Sequence, residues 1–98
     1  MPAPYFPVLV HGPSMAPALR HGDALLVRRG ARIRAGDVVV VRFPGEDGLF
    51  VKRARHTTEG GWWVEGDNTL ASDDSRKYGT AEVVGRVLAR YWPRPRFL

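Results

Sequence analysis

The chain has 98 residues, a formal net charge of +5, 44% apolar residues and no cysteine. That length makes one small domain, 1–98, with a single modest core, and the absence of cysteine excludes a disulfide framework and thiolate catalysis. Apolar runs such as Val38 to Val41 are far too short to cross a membrane as a helix, and residues 1–10 carry three prolines and no basic residue, unlike a signal peptide, so the chain reads as soluble and cytoplasmic.

In chain order the sequence predicts strands almost throughout. Tyr5 to His11 is a first strand, marked as an edge by Pro7. Gly12, Pro13, Ser14, Met15, Ala16 and Pro17 make a tight, rigid turn, and Ala16 to Leu19 fits one helical turn. Ala24 to Arg29 is a second strand, entered through His21, Gly22 and Asp23. Asp37 to Phe43 is rich in β-branched residues and is expected to be buried on both faces. A turn at 44–48 links it to Leu49 to His56 as a hairpin. Trp62 to Glu65 is a further strand, 66–80 an ordered loop, and Glu82 to Trp92 a last strand with a bend at Gly85. Residues 93–98 read as a flexible, Pro/Arg-rich tail. This spacing fits an all-β fold, a small sandwich or barrel with almost no helix.

A basic domain makes nucleic acid the first partner to consider. Here the arginines are scattered from Arg20 to Arg96, with Asp23, Asp37, Glu46 and Asp47 interleaved, and neither a recognition helix nor zinc-ligand spacing is present. No nucleic-acid partner is expected. The basic residues are 13 arginines and two lysines, Lys52 and Lys77. Arginine stays charged, whereas a desolvated lysine can lose its proton. A lysine in a chain that otherwise writes arginine therefore points to a place that needs a neutral amine. Alternation along 49–56 puts Lys52 on one face with Phe50, Ala54 and His56, an apolar setting that lowers an amine's pKa. The competing reading is a lysine whose stem packs while its head reaches water. A serine on a rigid turn beside such an amine is the minimum for hydrolysis by a serine–lysine pair: the amine takes the hydroxyl proton and the oxygen attacks a carbonyl. Ser14 and Lys52 fit that description. His11, His21 and His56 match no common metal spacing, so no metal and no cofactor are expected.

A third stretch, GDNTLASDDSRKYG at 66–79, resembles the GDNxxxSxDSRxxG box of the type I signal peptidase family of serine–lysine proteases. GPSMAP at 12–17 is similar to that family's nucleophile box. RHGDALLVRR, DVVVVRFP and LFVKRARH resemble the segments that follow, in the same order. The resemblance implies a signal-peptidase or repressor-protease-like β core, with Ser14 as nucleophile and Lys52 as general base. Ser72 would aim the Lys52 amine, and Asp74 and Arg76 would pair to fix the loop carrying Ser72. Asp67 and Asn68 would shape that loop, Met15 would pack beside the nucleophile, and Gly66 would let the backbone approach the site. Two features depart from secretory members. Gly12 stands where many have a serine that helps form the oxyanion hole, so the oxyanion would rest on the Ser14 N–H and another donor. Only 13 residues, 53–65, separate Lys52 from Gly66, with no large insert. The block from Trp62-Trp63 to Arg90-Tyr91-Trp92-Pro93 most resembles the nickel-type superoxide dismutase maturation proteases. That implies a protein precursor as substrate, the nickel-type superoxide dismutase precursor. The alternatives are a signal peptidase whose anchor lies elsewhere, a self-cleaving repressor-type regulator, and an inactive peptide-binding module.

Overall fold

A computed structural model describes residues 4–98. Its strands are β1 (Tyr5–Leu9), β2 (Ala24–Arg29), β3 (Val38–Arg42), β4 (Phe50–Thr58), β5 (Gly61–Glu65), β6 (Glu82–Trp92) and β7 (Arg96–Phe97). A single helical turn, α1 (Ser75–Tyr78), lies between β5 and β6. All pairings are antiparallel, in the order β1-β2-β6-β3-β4-β5, with β7 beside β6. The expected all-β class is the observed one. Its form lies between the two architectures expected: one sheet, not two, curls until β5 meets the start of β6. Trp62 and Ala81 exchange backbone hydrogen bonds there, at 3.0 and 2.8 Å.

The valine run of β3 explains the curl. Val38 and Val40 enter one apolar cluster with Val10, Met15, Leu19, Leu25, Val27 and Val87. Val39 and Val41 enter a second, with Phe43, Ala54, Val64 and Ala81. A strand buried on both faces needs cover on both sides. The 12–22 turn and β2 cover one side, and the returning β5 covers the other.

Three expectations change. Residues 93–98, read as a flexible tail, turn back so that Phe97 pairs Ala89 and Arg96 pairs Arg90, and the Leu98 N–H donates to the Leu88 carbonyl at 2.8 Å. The 66–80 loop contains α1, whose N-cap is Asp74, accepting from the Arg76 N–H. His56 leaves the face of Lys52. The β4–β5 register shifts between Ala54 and His56, and His56 stacks on Trp63 with centroids 6.0 Å apart. An extra residue in one strand turns the side chains beyond it to the other face.

Candidate active site

Two elements carry the site, and the sequence explains how each is held. The 12–22 turn is anchored by Met15 and Leu19, both wholly buried in the first cluster. Burial of two such side chains is worth roughly 1.5–3 kcal/mol each. The Ala16 N–H donates to the Pro13 carbonyl and the Leu19 N–H to the Met15 carbonyl, each at 3.0 Å, so hydrogen-bonded turns stand where a helical turn was expected over Ala16 to Leu19. Gly12 takes φ +79, which favours glycine. Its N–H donates to His21 Nδ1 at 3.0 Å, with that ring nitrogen as the acceptor. His21 was missed as a site-supporting residue, because nothing in the sequence shows a contact across nine positions. Ser14 sits between the Gly12 bend and the Met15 anchor, half-buried.

The second element is β4, and Lys52 lies in it with only 3% exposure. Its backbone pairs with Val39 of β3, so the stem rises from the most buried part of the sheet. Burial is the largest influence on the amine and pushes its pKa below that of an ordinary lysine. Asp74 and Asp73 draw it partly back and Arg76 lowers it further. Lys77 is the contrast. It is exposed, lies 3.6 Å from Asp73, and its pKa is raised.

The segment 66–76 aims the amine. Lys52 Nζ donates to Ser72 Oγ at 3.3 Å, and Ser72 Oγ donates to Asp74 Oδ2 at 2.7 Å. Asp74 is wholly buried. Burial alone would raise its pKa, but hydrogen bonds from Arg76, Ser72 and the Gly66 N–H outweigh that and hold it far below the usual carboxylate range. An ionised Asp74 can only accept, so Ser72 must spend its proton on it and offer a lone pair to Lys52. That direction leaves the nitrogen lone pair of a neutral Lys52 free for another proton. Arg76 grips Asp74 through Nε at 3.0 Å and a terminal nitrogen at 2.7 Å.

Gly66 lies where the two elements touch. A Cβ added there would overlap Ser72 Oγ and come within 2.6 Å of the Ser14 carbonyl oxygen. Asn68 staples the same junction: its backbone N–H donates to the Ser14 carbonyl at 2.8 Å and its side chain to the Pro13 carbonyl at 3.2 Å. Asp67 points elsewhere, to a two-pronged pair with Arg53 at 2.6 and 3.2 Å. Arg53 also donates to the Gly36 carbonyl at 3.0 Å, a role no sequence pattern announces.

Ser14 and Lys52 line one cleft of about 270 Å³, with Leu9, Val10, Phe50 and Ala71 among its walls. The arrangement places a hydroxyl and a desolvated, hydrogen-bond-oriented amine on a common cavity, where burial favours the neutral amine and Asp73, also on the cavity wall, opposes it. Among the described residues no group of three or more His, Cys, Asp or Glu is placed to hold a metal. No helix among them is long and apolar enough to cross a membrane.

Comparison with known proteins agrees with a peptidase core. The chain is 31% identical to mitochondrial inner membrane protease subunit 1 of Xenopus tropicalis, over 92% of this chain and 71% of that protein. It is 33% identical to mitochondrial ATP-independent inner membrane protease subunit 1a of Arabidopsis thaliana, over 86% of this chain and 68% of that protein. The human mitochondrial inner membrane protease subunit 1 is 29% identical over 88% of the chain and 69% of its own length. The Peptidase S24-like family matches residues 1–88, a span that takes in nearly the whole sheet, and the chain belongs to that family.

Proposed function

We propose that the chain is a serine endopeptidase in which Ser14 is the nucleophile and Lys52 the general base, acting in the cytoplasm to remove an amino-terminal leader from a protein precursor. The observation that carries this reading is the Lys52 amine. It is 3% exposed, its pKa is lowered, and it is tied to Ser72 on a cleft that Ser14 also lines. In the reaction, neutral Lys52 accepts the Ser14 hydroxyl proton as Oγ attacks the scissile carbonyl. The ammonium so formed returns that proton to the leaving amine, and Lys52 then takes a proton from the water that hydrolyses the acyl-enzyme. Ser72 and Asp74 hold the amine's orientation throughout. The Gly12 N–H is occupied by His21, and the Ser14 N–H is the backbone donor assigned to the developing oxyanion.

The proposed substrate is the nickel-type superoxide dismutase precursor. Its support is the likeness of the Trp62-Trp63 to Pro93 block to the proteases that mature it. The test incubates that full-length precursor with wild-type protein, Ser14→Ala and Lys52→Arg, and reads the new amino terminus by mass spectrometry. One cut at the leader boundary, absent with both variants, is the expected result. Cleavage of a mixed peptide library but not of the precursor would remove the substrate and leave the peptidase. Cleavage undiminished in Ser14→Ala would remove the mechanism. A second reading, processing of precursors at a membrane, is favoured by relatives that are named inner membrane proteases. It requires that cleavage depend on a membrane fraction.

A further inference from the structure

Away from the active cleft, and sharing no residue with it, Arg28, Arg32, Arg34 and Arg86 line a separate hollow of about 410 Å³, floored by Gly30 and Ala31. Arg28 and Arg86 are directly opposed partners on β2 and β6. Like charges in that relation repel. No carboxylate lies within ion-pairing distance of any of the four among the described residues, although Arg53, Arg55, Arg76 and Arg90 all have one. The carboxylate of Asp37, close by in sequence, accepts from the Arg34 backbone N–H. Arg86 Nε is a buried side-chain nitrogen with no hydrogen-bond partner, the sole such atom among the described residues. A buried guanidinium N–H left unsatisfied is costly and calls for an acceptor.

We infer that this hollow binds a multivalent phosphate-type anion. Four arginines lining one space need more than a single negative charge, which a lone carboxylate does not supply. Phosphate oxygens match the paired N–H groups of arginine in geometry as well as in charge. Arg86 supplies the buried donor from the sheet. Arg32 and Arg34 close over the anion from the exposed β2–β3 connection, and Arg28 completes the rim while its guanidinium rests 5.8 Å from the Tyr5 ring. The phosphate could be free or carried on a lipid headgroup, and the chemistry at the arginines is the same.

The probes are inorganic pyrophosphate, followed by calorimetry and thermal melting, and vesicles of phosphatidic acid in phosphatidylcholine, followed by co-sedimentation. Wild-type protein is expected to bind at least one of them saturably, with pyrophosphate binding at one per chain and raising Tm. Binding to pyrophosphate assigns a free anion, and binding to the vesicles alone assigns a headgroup. Arg86→Met keeps the stem and removes the orphaned donor, so it should melt no lower than wild type without anion and bind at least about tenfold more weakly, a change larger than one exposed charge contributes. The double variant Arg32→Gln/Arg34→Gln, on the exposed connection, should weaken binding likewise even if Arg86→Met fails to fold. Arg20→Gln/Arg94→Gln, at two arginines that line a different hollow, serves as the charge-matched control. Absence of saturable binding to both probes, undiminished binding in the hollow's variants, or an equal loss in the control would overturn the inference.

Discussion

Replacing Asp74 with asparagine probes the site at its most constrained atom pair. The carboxylate is wholly buried and accepts five hydrogen bonds: Ser72 Oγ and the Gly66 N–H at 2.7 and 2.8 Å, and three from Arg76 at 2.7, 3.0 and 3.1 Å. Asparagine offers one oxygen and one NH₂ in the same space. With the oxygen turned toward Ser72 and Gly66, the NH₂ faces the backbone and Nε donors of Arg76. With the opposite flip, the buried Gly66 N–H is left unsatisfied. The first arrangement costs less, because the Arg76 side chain is 40% exposed and can return to water. Loss of two charge-assisted bonds and of the ion pair should then cost about 2–4 kcal/mol, below the 3–5 typical of breaking a fully buried pair. For a chain this short, that lowers Tm by roughly 10–25 °C.

The pH dependence of Asp74→Asn has a defined sign. The folded pKa of Asp74 is depressed, so its contribution is complete above the unfolded carboxylate value and is lost as pH falls below about 4. The wild-type advantage over Asp74→Asn should therefore shrink through that acid range and stay level above it. Asp74 also raises the Lys52 pKa. Asparagine should thus move the acid limb of the activity profile to lower pH even while the maximum rate falls. Thermal melts from pH 2 to 8 and a kcat profile on any cleaved peptide measure both. A Tm within about 3 °C of wild type at pH 7, or an acid limb displaced to higher pH, would refute the role given to this carboxylate.

Substitutions at three further positions separate structure from chemistry. Gly66→Ala should abolish activity and lower Tm, since the added Cβ meets a backbone carbonyl that cannot swing aside; overpacking of this kind costs about 1–3 kcal/mol, and a variant with wild-type kcat would show the contact to be slack. Lys52→Met should remove all cleavage yet unfold at the same or a higher temperature, because it replaces a buried amine with an apolar chain of similar length; a large fall in Tm would mean that the amine serves the fold. At His21, asparagine keeps an acceptor for the Gly12 N–H and should keep kcat, whereas phenylalanine removes it, with a loss of about 1 kcal/mol in stability and a lower kcat; equal behaviour of the two would dismiss His21 as a brace of the nucleophile turn.

What could be read in the sequence was local or carried by a motif. β2 and β6 have the bounds that their apolar runs indicate, and the valines of β3 are buried on both faces. The resemblance at 66–79 brought out Ser72, Asp74, Arg76 and Gly66, and the geometry joins all of them to Lys52 or to the Ser14 turn. The unforeseen features depend on partners distant in the chain. Nothing in Arg53 announces Asp67, and nothing in Gly12 announces His21. The bulge that moves His56 onto Trp63 follows from the register with β5, which alternation along β4 alone cannot show. The 93–98 segment has turn-forming composition, yet its pairing is determined by the free edge of β6 beyond the end of β3. The Arg28–Arg86 opposition likewise exists only once β2 and β6 are in register.

The most direct test of the catalytic assignment needs no substrate. The chain has two lysines, so selective ¹³C labelling of lysine gives two side-chain Cε signals to follow by NMR from neutral to alkaline pH. Lys77 serves as the internal reference, its pKa raised above the ordinary 10.5 by Asp73. Lys52 should lose its proton below 10.5, ahead of Lys77 in the same sample, and its signal should change in Ser72→Ala while that of Lys77 does not. Two lysines titrating together at or above 10.5 would mean that the buried amine remains an ammonium, and Lys52 would not be the base.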